Sequence, residues 1–272
     1  MVTSIESIDD PRVAHYAKLT EPELRCRIEP QQGLFIAESP VVIEAALDAA
    51  CQPISLLTAQ RHLHTTAAPI LQRCPDIPVY TAADDVLQQL TGYALTRGVL
   101  CAMRRPQPQS VEQVCGDKGR VVVVDSVVNA TNVGVIFRGA AALGMDAVVL
   151  AGGSCDPLNR RSVRVSMGGI FKIPWAVSTL PTPCLVGQLR DMGFTSVALA
   201  LRPDALPVDS PELRSRQRLA LLLGNEQYGL TDETIQAADF CAVIPMQNGM
   251  DSLNVAAAAA VAFWQLRLPP QF

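Results

Sequence analysis

The chain has 272 residues, of which 49% are hydrophobic and 18% are charged, and its formal net charge is −4. This composition is typical of a compact globular protein with room for two domains, and it argues against a disordered chain. The overall charge neither establishes nor excludes a nucleic-acid partner, because a local group of basic residues can bind phosphates in an acidic protein.

The sequence shows no pattern typical of a targeting segment or of paired cysteines. No apolar run reaches membrane-spanning length, and the first twenty residues carry acids without an apolar block, so we expect a cytoplasmic protein without a membrane partner. The eight cysteines are scattered and form no C-x-x-C pair. This spacing favours buried thiols over disulfides or a zinc site, and we expect no metal.

The first part of the chain alternates short apolar runs with helical patterns. Strands are predicted at 34–37, 54–57, 79–81 and 99–103, and helices at 40–50 and 84–90. Together they predict a small α/β domain over residues 1–105. Residues 106–118 are rich in proline, glycine and polar side chains, and we interpret them as a linker.

Residues 119–272 alternate more regularly and are predicted to form a second domain. Strands are predicted at 121–125, 147–151, 173–177, 197–201, 219–223 and 240–244, and helices at 132–143, 185–192, 232–238 and 255–266. Near-continuous apolar strands that alternate with helices indicate a parallel sheet that is buried on both faces. Ligands bind such sheets at the carboxyl ends of the strands.

Three segments at predicted strand ends concentrate glycine, asparagine, serine and charge: residues 125–138, 224–230 and 244–255. Glycine-containing turns that lead into helices offer backbone N–H groups to a ligand. The chain has no phosphate-binding P-loop and no G-x-G-x-x-G motif, and the second domain has no histidine for a triad or a metal site. The side chains that remain can bind, orient and polarise, which suits a reaction whose difficult chemistry is carried by a cofactor.

Taken together, the three segments resemble the motifs of the SpoU/TrmH family of RNA ribose 2'-O-methyltransferases, within the SPOUT class. The pattern N-x-x-N-x-G-x-x-x-R is present as Asn129, Asn132, Gly134 and Arg138; G-x-E-x-x-G as Gly224, Glu226 and Gly229; and I-P-x(n)-S-L-N-V as Ile244, Pro245, Ser252, Leu253, Asn254 and Val255. The resemblance covers about residues 119–268. The first domain is similar, around residues 33–47, to a ribosomal-protein-like RNA-binding module, with Glu38-Ser39 where that module usually has Glu-Gly.

The resemblance implies a parallel-sheet SPOUT domain with a trefoil knot, preceded by a smaller α/β RNA-binding domain. It also implies a homodimer whose site is built from both subunits, S-adenosylmethionine as the cofactor, and tRNA or rRNA as the substrate. The cofactor would be held by Gly224, Gly229, Ile244 and Leu253. Arg138 would be the main catalytic residue, supported by Asn132, Glu226, Ser252 and Asn254.

The sequence also suggests how RNA is captured and which reaction follows. We expect Arg160, Arg161 and Arg164, together with the first domain, to bind RNA. A guanidinium keeps its proton in proteins, so our hypothesis is that Arg138 binds the phosphate and stabilises charge on the 2'-oxygen, while a phosphate oxygen or Ser252 takes the proton.

Three other functions remain open from the sequence. A SPOUT enzyme could methylate a base nitrogen instead of ribose, although the combination of N-x-G-x-x-x-R with S-L-N favours ribose. A non-catalytic RNA-binding protein could retain the fold without the cofactor, which the presence of Arg138, Glu226 and Asn254 disfavours. An unrelated α/β enzyme acting on a small molecule is disfavoured by the absence of phosphate loops.

Overall fold

The structure is a computed structural model that describes residues 2–17, 31–92 and 98–268. The chain divides into two compact units that are both discontinuous in sequence. The first unit contains residues 1–107 and 156–171, and the second contains residues 108–155 and 172–272.

The first unit is built on a five-stranded mixed sheet. Its strands are β1 (Val2–Ser4), β2 (Leu34–Glu38), β3 (Pro53–Ala59), β4 (Val79–Ala82) and β5 (Val99–Arg104), in the order β1-β4-β3-β5-β2. Strands β1, β4 and β3 are parallel, and β5 is antiparallel to both of its neighbours. Its helices are Pro40–Asp48, Ala68–Arg73, Asp84–Thr91 and Arg160–Ser166. This unit has the α/β character predicted for the first part of the chain, although β1 and two of these helices, Ala68–Arg73 and Arg160–Ser166, were not predicted.

The second unit is built on a seven-stranded sheet in which every pair of neighbours is parallel. Its strands are β6 (Arg120–Asp125), β7 (Ala147–Ala151), β8 (Trp175–Val177), β9 (Thr195–Leu199), β10 (Leu206–Pro207), β11 (Leu219–Leu223) and β12 (Phe240–Val243), in the order β10-β12-β9-β11-β6-β7-β8. Its helices are Val111–Cys115, Ala130–Ala142, Thr182–Asp191, Pro211–Arg214, Asp232–Ala237 and Val255–Leu266. The predicted parallel sheet is confirmed.

The centre of this sheet explains where the site lies. Strands β6, β7 and β11 are buried at every residue, as valine- and leucine-rich strands covered on both faces should be. Strands β6 and β11 are neighbours in register, with Val124 opposite Leu223. The two loops that begin at Ser126 and Gly224 therefore leave the sheet side by side, at its carboxyl edge. The implied trefoil knot stays a prediction, because strand order alone does not trace the threading of the chain.

The observed division of the chain differs from the predicted domain boundaries. Residues 156–171, which include the Arg160–Ser166 helix, belong to the first unit although both flanking segments belong to the second. The predicted linker at 106–118 is also structured, because it contains the Val111–Cys115 helix. That helix begins with a capping box, in which Ser110 Oγ accepts from the backbone N of Gln113 at 3.2 Å and Gln113 Oε1 accepts from the backbone N of Ser110 at 2.9 Å.

The expectation that Arg160 contacts RNA conflicts with the structure. Its side chain is only 7% exposed, and its guanidinium donates to the backbone carbonyl of Tyr16 at 3.3 Å within the first unit. Arg160 therefore helps to hold this unit together. Arg161 is exposed, and Arg164 forms an ion pair with the buried Glu38 at 3.6 Å.

The described residues, 2–17, 31–92 and 98–268, also bear on membrane crossing, metal binding and disulfide formation. Within these ranges no helix has the length and apolar character that a membrane crossing needs, and no cluster of His, Cys, Asp and Glu is suited to a metal ion. No disulfide joins the seven cysteines in these ranges, while Cys26 lies outside the described residues. Burial raises the pKa of Cys115 to about 12, which fits a structural role for that thiol.

Candidate functional site

The first part of the site is the start of the Ala130–Ala142 helix, which follows β6. Asn129 is the N-cap, and its Oδ1 accepts from the backbone N of Thr131 at 2.8 Å and of Asn132 at 3.4 Å. This cap satisfies N–H groups that the first helical turn otherwise leaves without partners. The cap also fixes Asn132 in the first turn, where its side chain is buried.

The second part is a tight turn over residues 224–229, directly after β11. Asn225 and Gly229 are joined by two backbone hydrogen bonds of 3.1 and 3.0 Å, and the side chain of Asn225 donates to the backbone carbonyl of Ser126 at 2.7 Å. A Cβ atom on Gly224 would lie 2.4 Å from the backbone C of Gly229 and from the backbone N of Leu230. Only glycine fits at position 224, because the two ends of the turn approach each other so closely.

The third part is Asn254, the N-cap of the Val255–Leu266 helix. Its Oδ1 accepts from the backbone N of Ala256 at 2.9 Å and of Ala257 at 3.4 Å. The amide nitrogen of the same side chain is directed away from the helix that it caps, and it donates to Asn132 Oδ1 at 3.1 Å. Asn254 therefore both caps its helix and reaches the first part of the site.

A single hydrogen-bonded chain joins these three parts. Asn132 donates from Nδ2 to Glu226 Oε1 at 2.9 Å while its Oδ1 accepts from Asn254, and the backbone N of Asn129 also donates to Glu226 Oε1 at 3.2 Å. These two partners fix the orientation of the Asn132 amide, because its nitrogen faces an acceptor on Glu226 and its oxygen faces a donor on Asn254. These bonds join residues that are far apart in sequence: Asn132 and Glu226 are 94 positions apart, and Asn132 and Asn254 are 122 positions apart. We expect this chain of side chains to be rigid.

Beside this network lies a cavity of about 580 Å³ within the second unit. Seven of the predicted site residues line it: Gly224, Glu226, Gly229, Ile244, Ser252, Leu253 and Asn254. The volume is within the range of roughly 300–1,000 Å³ that is usual for sites of small molecules and cofactors. Asn132 contacts the cavity lining through Glu226 and Asn254.

S-adenosylmethionine carries a sulfonium, an ammonium and a carboxylate group and is therefore a net cation, which the charges around the cavity fit. The lining includes the carboxylates of Glu226, Asp232 and Asp251, with Arg202 as a guanidinium that pairs with Asp232. An excess of carboxylates favours a cationic ligand. The backbone of the tight turn also comes close to the cavity at Gly224 and Gly229, as hydrogen bonding to a nucleoside requires.

Several residues that line the cavity were not predicted from the sequence. Residues 199–202 line it because β9 ends at Leu199, two positions before the predicted end of that strand, so Ala200 and Leu201 belong to a loop. The position of Arg202 just after an apolar strand was the available signal. Tyr228, within the second motif, was also overlooked although it lines the same cavity.

Arg138 does not line this cavity. It lies on the Ala130–Ala142 helix with an exposed side chain, and it forms no hydrogen bond or ion pair with any residue that the structure describes. On a helix, residues 132 and 138 are separated by about 120° around the axis, so they face different directions.

Comparison with known proteins identifies the family. The family model described as "SpoU rRNA Methylase family" matches residues 119–264, which is more than half of the chain. The chain belongs to the SpoU rRNA methylase family. The match covers most of the second unit and also the segment 156–171, which folds with the first unit.

Relatives of this SpoU-family chain extend over both units. It is 38% identical to an uncharacterised tRNA/rRNA methyltransferase of Mycobacterium bovis, over 94% of this chain and 88% of that protein. It is 31% identical to the 23S rRNA (guanosine(2553)-2'-O)-methyltransferase RlmP of Bacillus subtilis, over 64% of this chain and 72% of that protein. The solved AdoMet-bound rRNA methyltransferase from Sinorhizobium meliloti superposes with a TM-score of 0.80 at 25% identity, covering 97% of each chain.

Proposed function

We propose that this chain transfers the methyl group of S-adenosylmethionine to a ribose 2'-hydroxyl of RNA. The observation that carries the proposal is the hydrogen-bonded chain from Glu226 through Asn132 to Asn254, which joins all three family motifs at one cavity. The names of the Bacillus subtilis and Sinorhizobium meliloti relatives support the same reaction and the same cofactor.

The residues of the cavity would hold and orient the cofactor. Gly224, Gly229, Ile244 and Leu253 would bind it largely through backbone groups and apolar contact. When bound, S-adenosylmethionine supplies an electrophilic methyl group on a sulfonium that leaves as a thioether. Aligning that methyl group with an oxygen nucleophile lowers the barrier, and the gain from holding two reactants in place can reach about 7–11 kcal/mol.

Arg138 would act on the RNA. Its guanidinium remains protonated, so it would bind the phosphate next to the target ribose and stabilise negative charge as it develops on the 2'-oxygen. The hydroxyl proton would pass to a phosphate oxygen, either directly or through Ser252, which would take it up while giving its own hydroxyl proton to that oxygen; the exposed side chain of Ser252 lines the cavity. Glu226, Asn132 and Asn254 would support the binding of cofactor and RNA, because their hydrogen bonds hold the 224–229 turn against the starts of the Ala130–Ala142 and Val255–Leu266 helices.

A homodimer would bring Arg138 to the site, since Arg138 does not line the cavity of its own subunit. The Val255–Leu266 helix exposes an apolar stripe of Ala257, Val261 and Trp264, and Leu268, two residues beyond its end, is exposed as well. This helix packs against the Ala130–Ala142 helix, on which Val135 and Arg138 are exposed. Contiguous exposed apolar residues mark protein interfaces, so a second copy covering them would place Arg138 of the partner subunit near the cavity.

Ribosomal RNA is the substrate that the relatives favour. Several of them are named as 23S rRNA 2'-O-methyltransferases, although the Mycobacterium bovis relative is named for tRNA and rRNA together. We expect the exposed Arg161 and the half-buried Arg164 to add phosphate contacts from the first unit. The reaction would take place in the cytoplasm, where such RNA is found.

The test is methylation of ribosomal RNA by the purified protein with labelled S-adenosylmethionine, followed by digestion to nucleosides. The expected product is a 2'-O-methylnucleoside at one mapped position. A base-methylated nucleoside would replace the proposal with base methylation. If calorimetry detects no binding of S-adenosylmethionine and neither tRNA nor rRNA is methylated, the result would instead indicate a non-catalytic RNA-binding protein.

A further inference from the structure

Tyr228 is the most exposed large hydrophobic or aromatic side chain among the described residues, with 80% of its surface accessible. Aromatic side chains usually bury most of their area, because the apolar surface of the ring is costly to leave in water. Tyr228 nevertheless lies in the lining of the proposed cofactor cavity, within the G-x-E-x-x-G turn. Its ring stacks on no other aromatic ring among the residues that the structure describes.

The turn holds Tyr228 firmly even though the ring itself is exposed. Asn225 Oδ1 accepts from the backbone N of Gln227 at 2.8 Å and from the backbone N of Tyr228 at 3.1 Å. The two backbone bonds between Asn225 and Gly229 close the turn on either side of the aromatic residue. The backbone of Tyr228 is therefore ordered before any ligand arrives, so a ligand that uses the ring need not order the backbone first.

The same turn carries two side chains with different environments. Glu226 is bound to Asn132 and to the backbone of Asn129, on the side of the hydrogen-bonded chain. Tyr228, two positions later, has its ring in solvent beside the same cavity. A molecule that approaches the bound cofactor from solvent would meet this ring.

We propose that Tyr228 is the platform on which the base of the target nucleotide stacks while its ribose enters the cavity; this inference rests on the proposed function. A ribose inside a duplex cannot align with a methyl group in a cavity, so the nucleotide must be splayed out of its stack. An unstacked base loses favourable contact, and an aromatic side chain restores it without selecting one base by hydrogen bonding. The adjacent cavity then receives the ribose of the same nucleotide.

The first experiment compares Tyr228→Phe and Tyr228→Ala with the wild-type protein on the RNA that it methylates. Stacking predicts that Tyr228→Ala raises the KM for RNA by about 10-fold or more, while Tyr228→Phe stays within about 2-fold of wild type, because phenylalanine keeps the ring. The Kd for S-adenosylmethionine and the mass of the oligomer should not change. Leu180→Ala removes another exposed apolar side chain, outside the cavity, and should leave the KM unchanged.

The second experiment replaces the mapped target nucleotide by an abasic ribose, which keeps the 2'-hydroxyl and removes the base. If the base stacks on Tyr228, the wild-type protein should have a lower kcat/KM for this RNA, and the factor should equal the one that Tyr228→Ala causes with intact RNA. Tyr228→Ala acting on the abasic RNA should then show no larger loss of kcat/KM than either change alone. Additive losses would overturn the inference.

The outcomes separate the two proposals. Wild-type methylation of ribose combined with a normal KM for Tyr228→Ala would refute stacking and leave the proposed function intact. A changed cofactor Kd or a changed oligomer mass in Tyr228→Ala would assign the ring to the cofactor or to the dimer instead. A wild-type protein that binds the cofactor but methylates no ribose would end both proposals, since no nucleotide would be presented.

Discussion

At the scale of single residues, Arg138 combines a proposed catalytic role with the absence of any bond that holds it within its own subunit. Its exposed guanidinium meets no acceptor among the described residues, and it does not line the cavity. Changing it should therefore disturb neither the hydrogen-bonded chain nor the cofactor site. This separation makes Arg138 a clear test of the chemistry.

We expect Arg138→Ala to reduce methyl transfer by at least about 100-fold, because the group that stabilises the developing charge is lost. Calorimetry should give a Kd for S-adenosylmethionine close to the wild-type value. Arg138→Lys keeps the charge but loses the two-point fork, so partial rescue would mean that charge alone suffices. Arg214→Ala removes another exposed arginine, away from the cavity, and should retain full activity. Undiminished turnover by Arg138→Ala would remove the proposed role.

Ser39 adopts a backbone conformation that is unfavourable for a residue with a side chain. Its φ of 84° and ψ of 149° lie in a region that is essentially restricted to glycine, and its buried Oγ has no hydrogen-bond partner among the described residues. Glycine is usual at this position in the ribosomal-protein-like module that residues 33–47 resemble in sequence. The serine therefore leaves strain at the start of the Pro40–Asp48 helix.

Ser39→Gly should stabilise the protein by about 1–3 kcal/mol, since glycine adopts this conformation without steric cost. Thermal or urea unfolding, followed by a probe that reports on the first unit, measures the change. Ser110→Gly makes the same substitution at a helix N-cap whose φ is an ordinary −77°, and it should instead lower the stability by a few tenths of a kcal/mol. A loss of stability in Ser39→Gly would show that the serine hydroxyl has a stabilising role.

At the scale of elements, the tight turn over residues 224–229 is the part of the site with the least tolerance. Gly224 must let the two ends of the turn approach, and the atoms that a Cβ would meet are backbone atoms that cannot rotate away. Displacing the turn would move Glu226 off Asn132 and Asn129. One methyl group at this position should therefore affect both folding and binding.

Gly224→Ala should lower the unfolding temperature and weaken S-adenosylmethionine binding by at least about 10-fold, because a carboxylate and several backbone groups move together. Differential scanning calorimetry and titration calorimetry measure the two effects. Gly187→Ala is the matched control: the residue lies in the Thr182–Asp191 helix with open space around its would-be Cβ. Alanine should raise helix stability there by about 0.5–1 kcal/mol. Normal binding by Gly224→Ala would separate this turn from the cofactor.

Strands and long helices were predictable from the sequence, because apolar runs such as Val121–Val124 or Leu219–Leu223 can be buried in only a few ways. The Arg160–Ser166 helix was not, since its basic, serine-rich sequence shows no apolar stripe. Its burial depends on Tyr16 and Glu38, which are distant in sequence. Such long-range packing carries no local signal.

The site was predictable in membership and less so in geometry. Motif spacing identified the residues around the cavity, but the bonds from Asn132 to Glu226 and to Asn254 depend on how β6 and β11 align in the sheet. Arg138 belongs to the first motif and yet does not line the cavity. Membership of a motif alone does not indicate which of its side chains line the cavity.

At the scale of the whole molecule, the proposed dimer can be tested by mixing two inactive variants. Arg138→Ala keeps an intact cavity, and Glu226→Ala keeps an intact guanidinium. If each site takes Arg138 of the partner subunit, a mixed dimer contains one complete site. Subunit exchange should then restore roughly a quarter of the wild-type activity, because about half of the dimers are mixed and each has one working site. Mixtures that stay inactive, with exchange verified by mass, would place both residues in the same subunit.

The discontinuity of the two units has a consequence for how the chain reaches its folded state. Because the first unit needs residues 156–171, it cannot be completed until Phe171 has left the ribosome, when residues 108–155 of the second unit have already been synthesised. A chain cut after residue 107 would lose the partners of Tyr16 and Glu38. During synthesis from the N-terminus, the first unit therefore completes its folding only after part of the second unit has been made. For the same reason, neither unit can be replaced by a foreign domain through a single cut in the chain.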